Sequence, residues 1–142
     1  MPISTKRPQD VTVVWNGIPI SGFASGTYVE FGRNSDAFAL TVGSDGNAAR
    51  AATADRSGFV RITLLQTSPS NAALSAAAAL DEASGDGVGA LLVKDLGGAD
   101  LIAAASAWVK KMPDGEESNE ITNRVWELET DNLEIFLGGN PI

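Results

Sequence analysis

Phe59-Val60-Arg61-Ile62-Thr63-Leu64-Leu65-Gln66-Thr67, followed at once by Ser68-Pro69-Ser70-Asn71, decides how this chain is read. Val60, Ile62 and Leu64 share one face of an extended segment, and Phe59, Arg61, Thr63 and Leu65 share the other. The alternation predicts a strand. Large apolar groups on both faces predict that neither face is fully wet. Ser68 then offers a hydroxyl cap and Pro69 a first helical position, so a helix should run from about Ala72 to Ala83 and stop at Gly85 and Gly87. Its apolar stripe would be Leu74, Ala77, Ala78 and Leu80.

Upstream, Gly43 to Gly58 holds small residues, two arginines and two aspartates, with no large apolar residue and no steady period. It predicts a long exposed connection between strands, a feature that is usually functional. Before it, Val11, Val13 and Trp15 alternate into Asn16-Gly17, the strongest short hairpin signal. The return strand Ile18-Pro19-Ile20 should lie at an edge, because Pro19 cannot donate to a ladder. Tyr28–Phe31 and Phe38–Val42 read as further strands. Downstream, Val88–Leu96 and Leu101–Val109 are strands around Gly97-Gly98. Ile121–Leu137 is the longest strand-like run, with a bend or bulge at Asp131-Asn132. Val125, Glu127 and Glu129 should oppose Arg124, Trp126, Leu128 and Thr130, and Leu133, Ile135 and Leu137 should oppose Glu134 and Phe136. One domain, residues 1–142, is expected, with an N-terminal arm at 1–9, an extended exposed loop at 43–58 and a tail at 138–142.

Composition narrows the chemistry. The 142 residues include no cysteine and no histidine. That removes a thiolate metal site, a cysteine nucleophile, a disulfide scaffold and the usual serine triad. The hydrophobic share of 44% excludes wholesale disorder. The net charge of -8 argues against gripping nucleic acid by counterion release. No apolar run is long enough to span a bilayer, and no secretory signal is expected at the N-terminus.

The remaining motifs are weak. Asp45-x-Asn47 looks like the start of a calcium loop, but the glycine falls at Gly46 and no closing glutamate follows. Gly85-x-Gly87-x-Gly89 follows a helix rather than opening one, so it is a turn and not a nucleotide fingerprint. Asp114, Glu116, Glu117 and Glu120 read as a solvated turn, with nothing apolar nearby to raise a pKa. No catalytic residue, cofactor or metal is expected. Trp15, Trp108 and Trp126 read first as core, with an interface role open to one of them. Arg50, Arg56 and Arg61 read as solubilising charges or as partners for acidic patches on a neighbouring copy. The two-sided strands and the small-residued loop do not suit a self-contained monomer: the strands ask for a second covering layer, either the helix or another subunit, and sheet continuation between identical copies would answer both needs.

The Asn16-Gly17 hairpin, the long loop, the Ile62-Thr63-Leu64-Leu65-Gln66-Thr67-Ser68-Pro69-Ser70-Asn71 stretch and the closing Trp126-Glu127-Leu128-Glu129 strand with its Gly138-Gly139-Asn140 tail together resemble tail tube proteins of contractile-tailed bacteriophages, within the wider group of pyocin and type VI secretion tubes. The resemblance covers nearly the whole chain. It implies a mainly β fold, a β-sandwich or small barrel with one flanking helix, whose sheets join between subunits in hexameric rings stacked into a hollow tube. It implies a virion structural protein assembled in the bacterial cytoplasm. Its partners would be copies of itself and the sheath, baseplate and tail terminator proteins. The tape measure protein and DNA would be non-adhesive cargo, and no membrane would be bound. It places contacts between copies at Arg7, Asp45, Asn47, Arg50, Asp55, Arg56, Asn140 and Ile142. With such a bore, the acidic balance would serve as a wall that repels phosphate, and Glu30, Asp36, Glu127, Glu129 and Glu134 are the candidates to line it. Two other readings remain open: the tube of a phage-derived bacteriocin or secretion particle, and a small β-sandwich ligand-binding module.

Overall fold

The computed structural model describes residues 3–140. Its strands are β1 (Val11–Trp15), β2 (Ile18–Ile20), β3 (Val29–Arg33), β4 (Phe38–Val42), β5 (Ala48–Ala52), β6 (Gly58–Leu65), β7 (Gly89–Asp95), β8 (Leu101–Val109), β9 (Asn123–Thr130) and β10 (Glu134–Phe136), with one helix, α1 (Ser70–Ser84). All strands but two join one antiparallel sheet in the order β2-β1-β7-β8-β9-β6-β3, with β10 also paired to β8. β4 and β5 form a separate two-stranded sheet. The ends of the large sheet, β2 and β3, do not pair with each other, so it folds over as an open β-sandwich and not as the small barrel also anticipated.

The local signals explain most elements. Asn16 and Gly17 both take positive φ, 53° and 76°, as a tight hairpin between β1 and β2 requires. Pro19 lies in β2, the terminal strand of the sheet, where its missing donor costs no ladder bond. β6 alternates as read: Val60, Ile62 and Leu64 are buried while Phe59, Arg61, Thr63 and Leu65 are half-buried. α1 begins at Ser70, whose N–H donates to Ser68 Oγ at 3.2 Å. Leu74 and Ala78 of α1 enter the core, but Leu80 is exposed. Six residues beyond Leu74, it is rotated about 240° around the helix and leaves the stripe.

The predicted run from Ile121 to Leu137 is divided. β9 and β10 lie along the same side of β8, with Thr130 opposite Ala107 and Glu134 opposite Ala103, so the register is unchanged across the break. What changes is the inward set. Trp126, Leu128 and Thr130 point to the core before the bend and Leu133 after it, while β8 switches from Ile102 and Ala104 to Ala107 and Val109. Asp131 and Asn132 are the exposed residues of that bend.

The core is aliphatic with two indoles at its centre. Val13, Trp15, Val60, Ile62, Leu64, Leu74, Trp126, Leu128 and Leu133 are almost wholly buried. The Trp15 indole N–H donates to Ala107 O at 3.1 Å. The Trp126 indole N–H donates to Asn71 Oδ1 at 2.9 Å, and Asn71 Nδ2 donates to Leu65 O at 3.0 Å and Gln66 O at 3.2 Å. One amide thus pins the end of β6, the start of α1 and β9 together.

Candidate functional site

The stretch expected as an unstructured loop is mostly a hairpin. β5 falls inside residues 43–58 and pairs with β4 from Phe38↔Ala52 to Val42↔Ala48. The reading missed it because Ala48-Ala49-Arg50-Ala51-Ala52 has no β-branched or aromatic residue. β5 is a strand because β4 presents a complete ladder to it. The signal that could have found it is the tip: Gly46 has φ 89°, and Asn47 N–H and Nδ2 donate to Asp45 carboxylate oxygens at 3.2 and 2.8 Å.

Every residue of β4 and β5 is exposed. Phe38, Leu40 and Val42 alternate on one face with Ala48, Arg50 and Ala52, and the other face carries only Ala39, Thr41, Ala49 and Ala51. Leu40 is 72% exposed. Arg50 lies over the Phe38 ring at 4.0 Å. An isolated two-stranded hairpin is marginal in water, so this one is short of cover.

Its base is held firmly. Asp55 accepts from Ser35 Oγ at 2.6 Å, Ser57 Oγ at 2.6 Å and Ser57 N–H at 2.9 Å. Those bonds, the Ser35 hydroxyl first, hold its carboxyl down to about 2. Asn34 Nδ2 donates to Ser57 Oγ at 2.9 Å. Arg56 Nε reaches Asn132 Oδ1 at 3.4 Å, and Arg33 donates twice to Leu133 O. The hairpin therefore projects from a stiff mount at the bend between β9 and β10.

A second surface is the face of β3, β6, β9 and β8 turned away from the core. Arg61 bridges Glu30 at 3.7 Å and Glu127 at 3.3 Å, and Lys110 bridges Glu127 at 3.9 Å and Glu129 at 3.6 Å. Three of the acidic candidates are thus assembled into one alternating row. Glu134 lies opposite Ala103 on the same side of the sheet, and Asp36 is exposed between β3 and β4. Reading for carboxylates alone missed Lys110 and the position of Arg61, whose partners lie in its own chain; the cross-strand register brings them together.

The remaining predicted contacts separate. Arg7 is exposed, and its carbonyl accepts Asp10 N–H at 3.0 Å in a short 3-10 turn. Asn140 Nδ2 donates to Asp95 Oδ2 at 3.0 Å, and Lys6 Nζ lies 3.9 Å from the same oxygen. Asp95 is 3% exposed and also accepts Gly97 N–H at 3.0 Å. This buried carboxylate, which the sequence did not single out, clasps the arm and the tail together. Ile142 lies outside the described residues.

Among the described residues no pocket gathers these groups into reactive chemistry; the geometry offers surfaces. Residues 20–138 match the family described as Bacteriophage PhiTE tail tube protein. The chain belongs to that family. It is also 32% identical over 145 residues to Structural protein ORF10 of Pseudomonas phage KPP10, covering 96% of this chain and 84% of that one. Among solved structures it resembles the anti-feeding prophage tube-terminating cap, with a TM-score of 0.59 at 12% identity over 96% of this chain and 93% of that chain. The sheath/tube terminator of an extracellular contractile injection system gives 0.58 at 13% identity over 96% and 98%. A chain of its sheath–tube complex gives 0.57 at 12% identity over 93% and 91%. These likenesses are of fold. A tail tube family member is a structural component of a phage tail and not an enzyme.

Proposed function

We propose that this chain is the repeating subunit of a tail tube, closing into hexameric rings that stack into the hollow conduit for phage DNA during ejection. The observation that carries the reading is the β4–β5 hairpin: a projection whose apolar side has no core of its own within the chain, a face that a second copy would cover in this reading. The contacts at Asp45, Asn47, Arg50, Asp55 and Arg56 belong to this projection or its mount. Arg7, Asn140 and Ile142 add the terminal contacts.

In this reading the face bearing Glu30, Glu127, Glu129 and Glu134 lines the bore. Its cations, Arg61 and Lys110, are already engaged by carboxylates, which leaves little free positive charge for phosphate to hold. The tube is assembled in the host cytoplasm, inside a sheath and capped by a terminator; the similar structures, a sheath–tube complex and a sheath/tube terminator, support those partners. The phage relative supports a DNA-carrying particle over a bacteriocin or secretion device.

Electron microscopy of the purified protein in negative stain tests the reading. Hollow cylinders of constant diameter are expected, and a monomer at every concentration would overturn it. Glu127→Lys with Glu129→Lys should slow DNA ejection; unchanged ejection would move that face off the bore.

A further inference from the structure

β3 is the open edge of the large sheet, and its hydrogen-bonding parity can be read from its ends. Thr63 N–H donates to Tyr28 O at 2.9 Å and Asn34 N–H donates to Ser57 O at 3.0 Å. In an antiparallel ladder such residues alternate, so Glu30 and Gly32 face β6 and the backbone groups of Val29, Phe31 and Arg33 face outward. Beside this edge lies a cleft of about 250 Å³ between β3 and the opposite layer, lined by Val11, Tyr28, Val29, Phe31, Val93 and Ile102. That exceeds the ~150 Å³ of an apolar cavity that accepts a benzene ring. Free backbone groups next to an apolar trough form a receptor for an added strand.

The same parity holds in the hairpin. Gly43 N–H donates to Asn47 O at 2.7 Å and Thr53 N–H to Ala37 O at 2.9 Å, so the backbone groups of Phe38, Leu40 and Val42 face the open edge of β4. These are also its large apolar residues. We infer that β4 of a second copy adds antiparallel to β3, with Leu40 opposite Phe31, and lowers Phe38, Leu40 and Val42 over the cleft. In an antiparallel pair, directly opposed residues share a face, so the outward groups of both strands meet and both apolar sets fall on the core side. A parallel pairing would turn Ala39 and Thr41 inward and leave the cleft unfilled. Addition through β5 would place Ala48, Arg50 and Ala52 beside β3, too small or too polar to fill it. Charge agrees: Arg50 is the only charged residue on β4 or β5, and the cleft's charged lining of Lys6, Asp95 and Asp100 sums to one negative charge.

This inference rests on the tube reading only in taking the occupant to be a second copy. The register brings Glu30 opposite Thr41 at a non-hydrogen-bonded pair, where Cα atoms approach to about 4.5 Å, within disulfide reach. The chain has no native cysteine. Glu30→Cys and Thr41→Cys proteins, mixed and oxidised, should give a covalent dimer absent from either alone, and the double variant should give a ladder of multimers. Glu30→Cys mixed with Ala49→Cys or Ala51→Cys on β5 should not. Leu40→Asp should raise the assembly concentration by about tenfold or more while leaving the subunit folded, since the side chain touches no core. Cylinders without the Glu30–Thr41 link, or a link at β5 instead, would overturn the pairing and leave the tube standing. The link without cylinders would keep the pairing and overturn the tube.

Discussion

β6 and β4 are separated in sequence only by β5 and are opposites in circumstance. β6 sits between β3 and β9, with Val60, Ile62 and Leu64 in the core. β4 has one partner strand and no core, although Phe38-Ala39-Leu40-Thr41-Val42 has the better strand composition of the two halves of its hairpin. The difference teaches that a strand can be written clearly in sequence and yet be unfinished within one chain. Apolar alternation states that a face will be buried. It does not state by what.

If the contrast is real, perturbing the sheet should unfold the subunit and perturbing the hairpin should not. The largest effect is expected from Trp126→Ala, which empties the centre of the core and should cost about 3–5 kcal/mol in urea unfolding. Asn71→Ala comes next: it orphans the Trp126 indole N–H and two carbonyls, and a loss of about 1–3 kcal/mol should appear in the same measurement. Arg61→Met removes two partly exposed surface ion pairs and should cost no more than about 0.2–1 kcal/mol, a difference that shrinks in high salt.

A local effect is expected at Asp55. Its carboxyl is depressed in the folded state, so its contribution is present above the unfolded pKa and is lost as pH falls towards about 2. Hydrogen-exchange protection at Ser57, taken relative to the intrinsic rate at each pH, should therefore fall on acidification below about pH 4 in the native protein but not in Asp55→Asn. The smallest effect on folding, within about 0.5 kcal/mol, is expected from deleting Ala48–Thr53. That subunit should remain folded and form no cylinders. A deletion that lowered the unfolding midpoint as far as Trp126→Ala would make the hairpin part of the cooperative core and erase the comparison.

Much of the sheet was legible because its signals are local and redundant. Asn16-Gly17, Pro19 at an edge, the period of β6 and the Ser68-Pro69 start of α1 each depend on a few adjacent residues and agree with one another. β5 was not legible, since alanine is neutral between structures and only the ladder with β4 makes it a strand. The acidic candidates were legible as residues but not as a row. Glu30, Arg61, Glu127 and Lys110 lie on four segments, and their order is set by strand pairing across long separations.

By itself, the sequence settled the residue-level constraints: which side chains seek a core, where the chain must turn, and that no thiol or imidazole is available for chemistry. These follow from transfer free energies, backbone sterics and composition, all of which are properties of residues and near neighbours. The tertiary structure alone decided which apolar strand was covered and which left bare, and which carboxylates met a cation. It also brought Lys6 and Asn140 to the buried Asp95. Those outcomes depend on register and on distances between segments far apart in the chain, and no local preference encodes them.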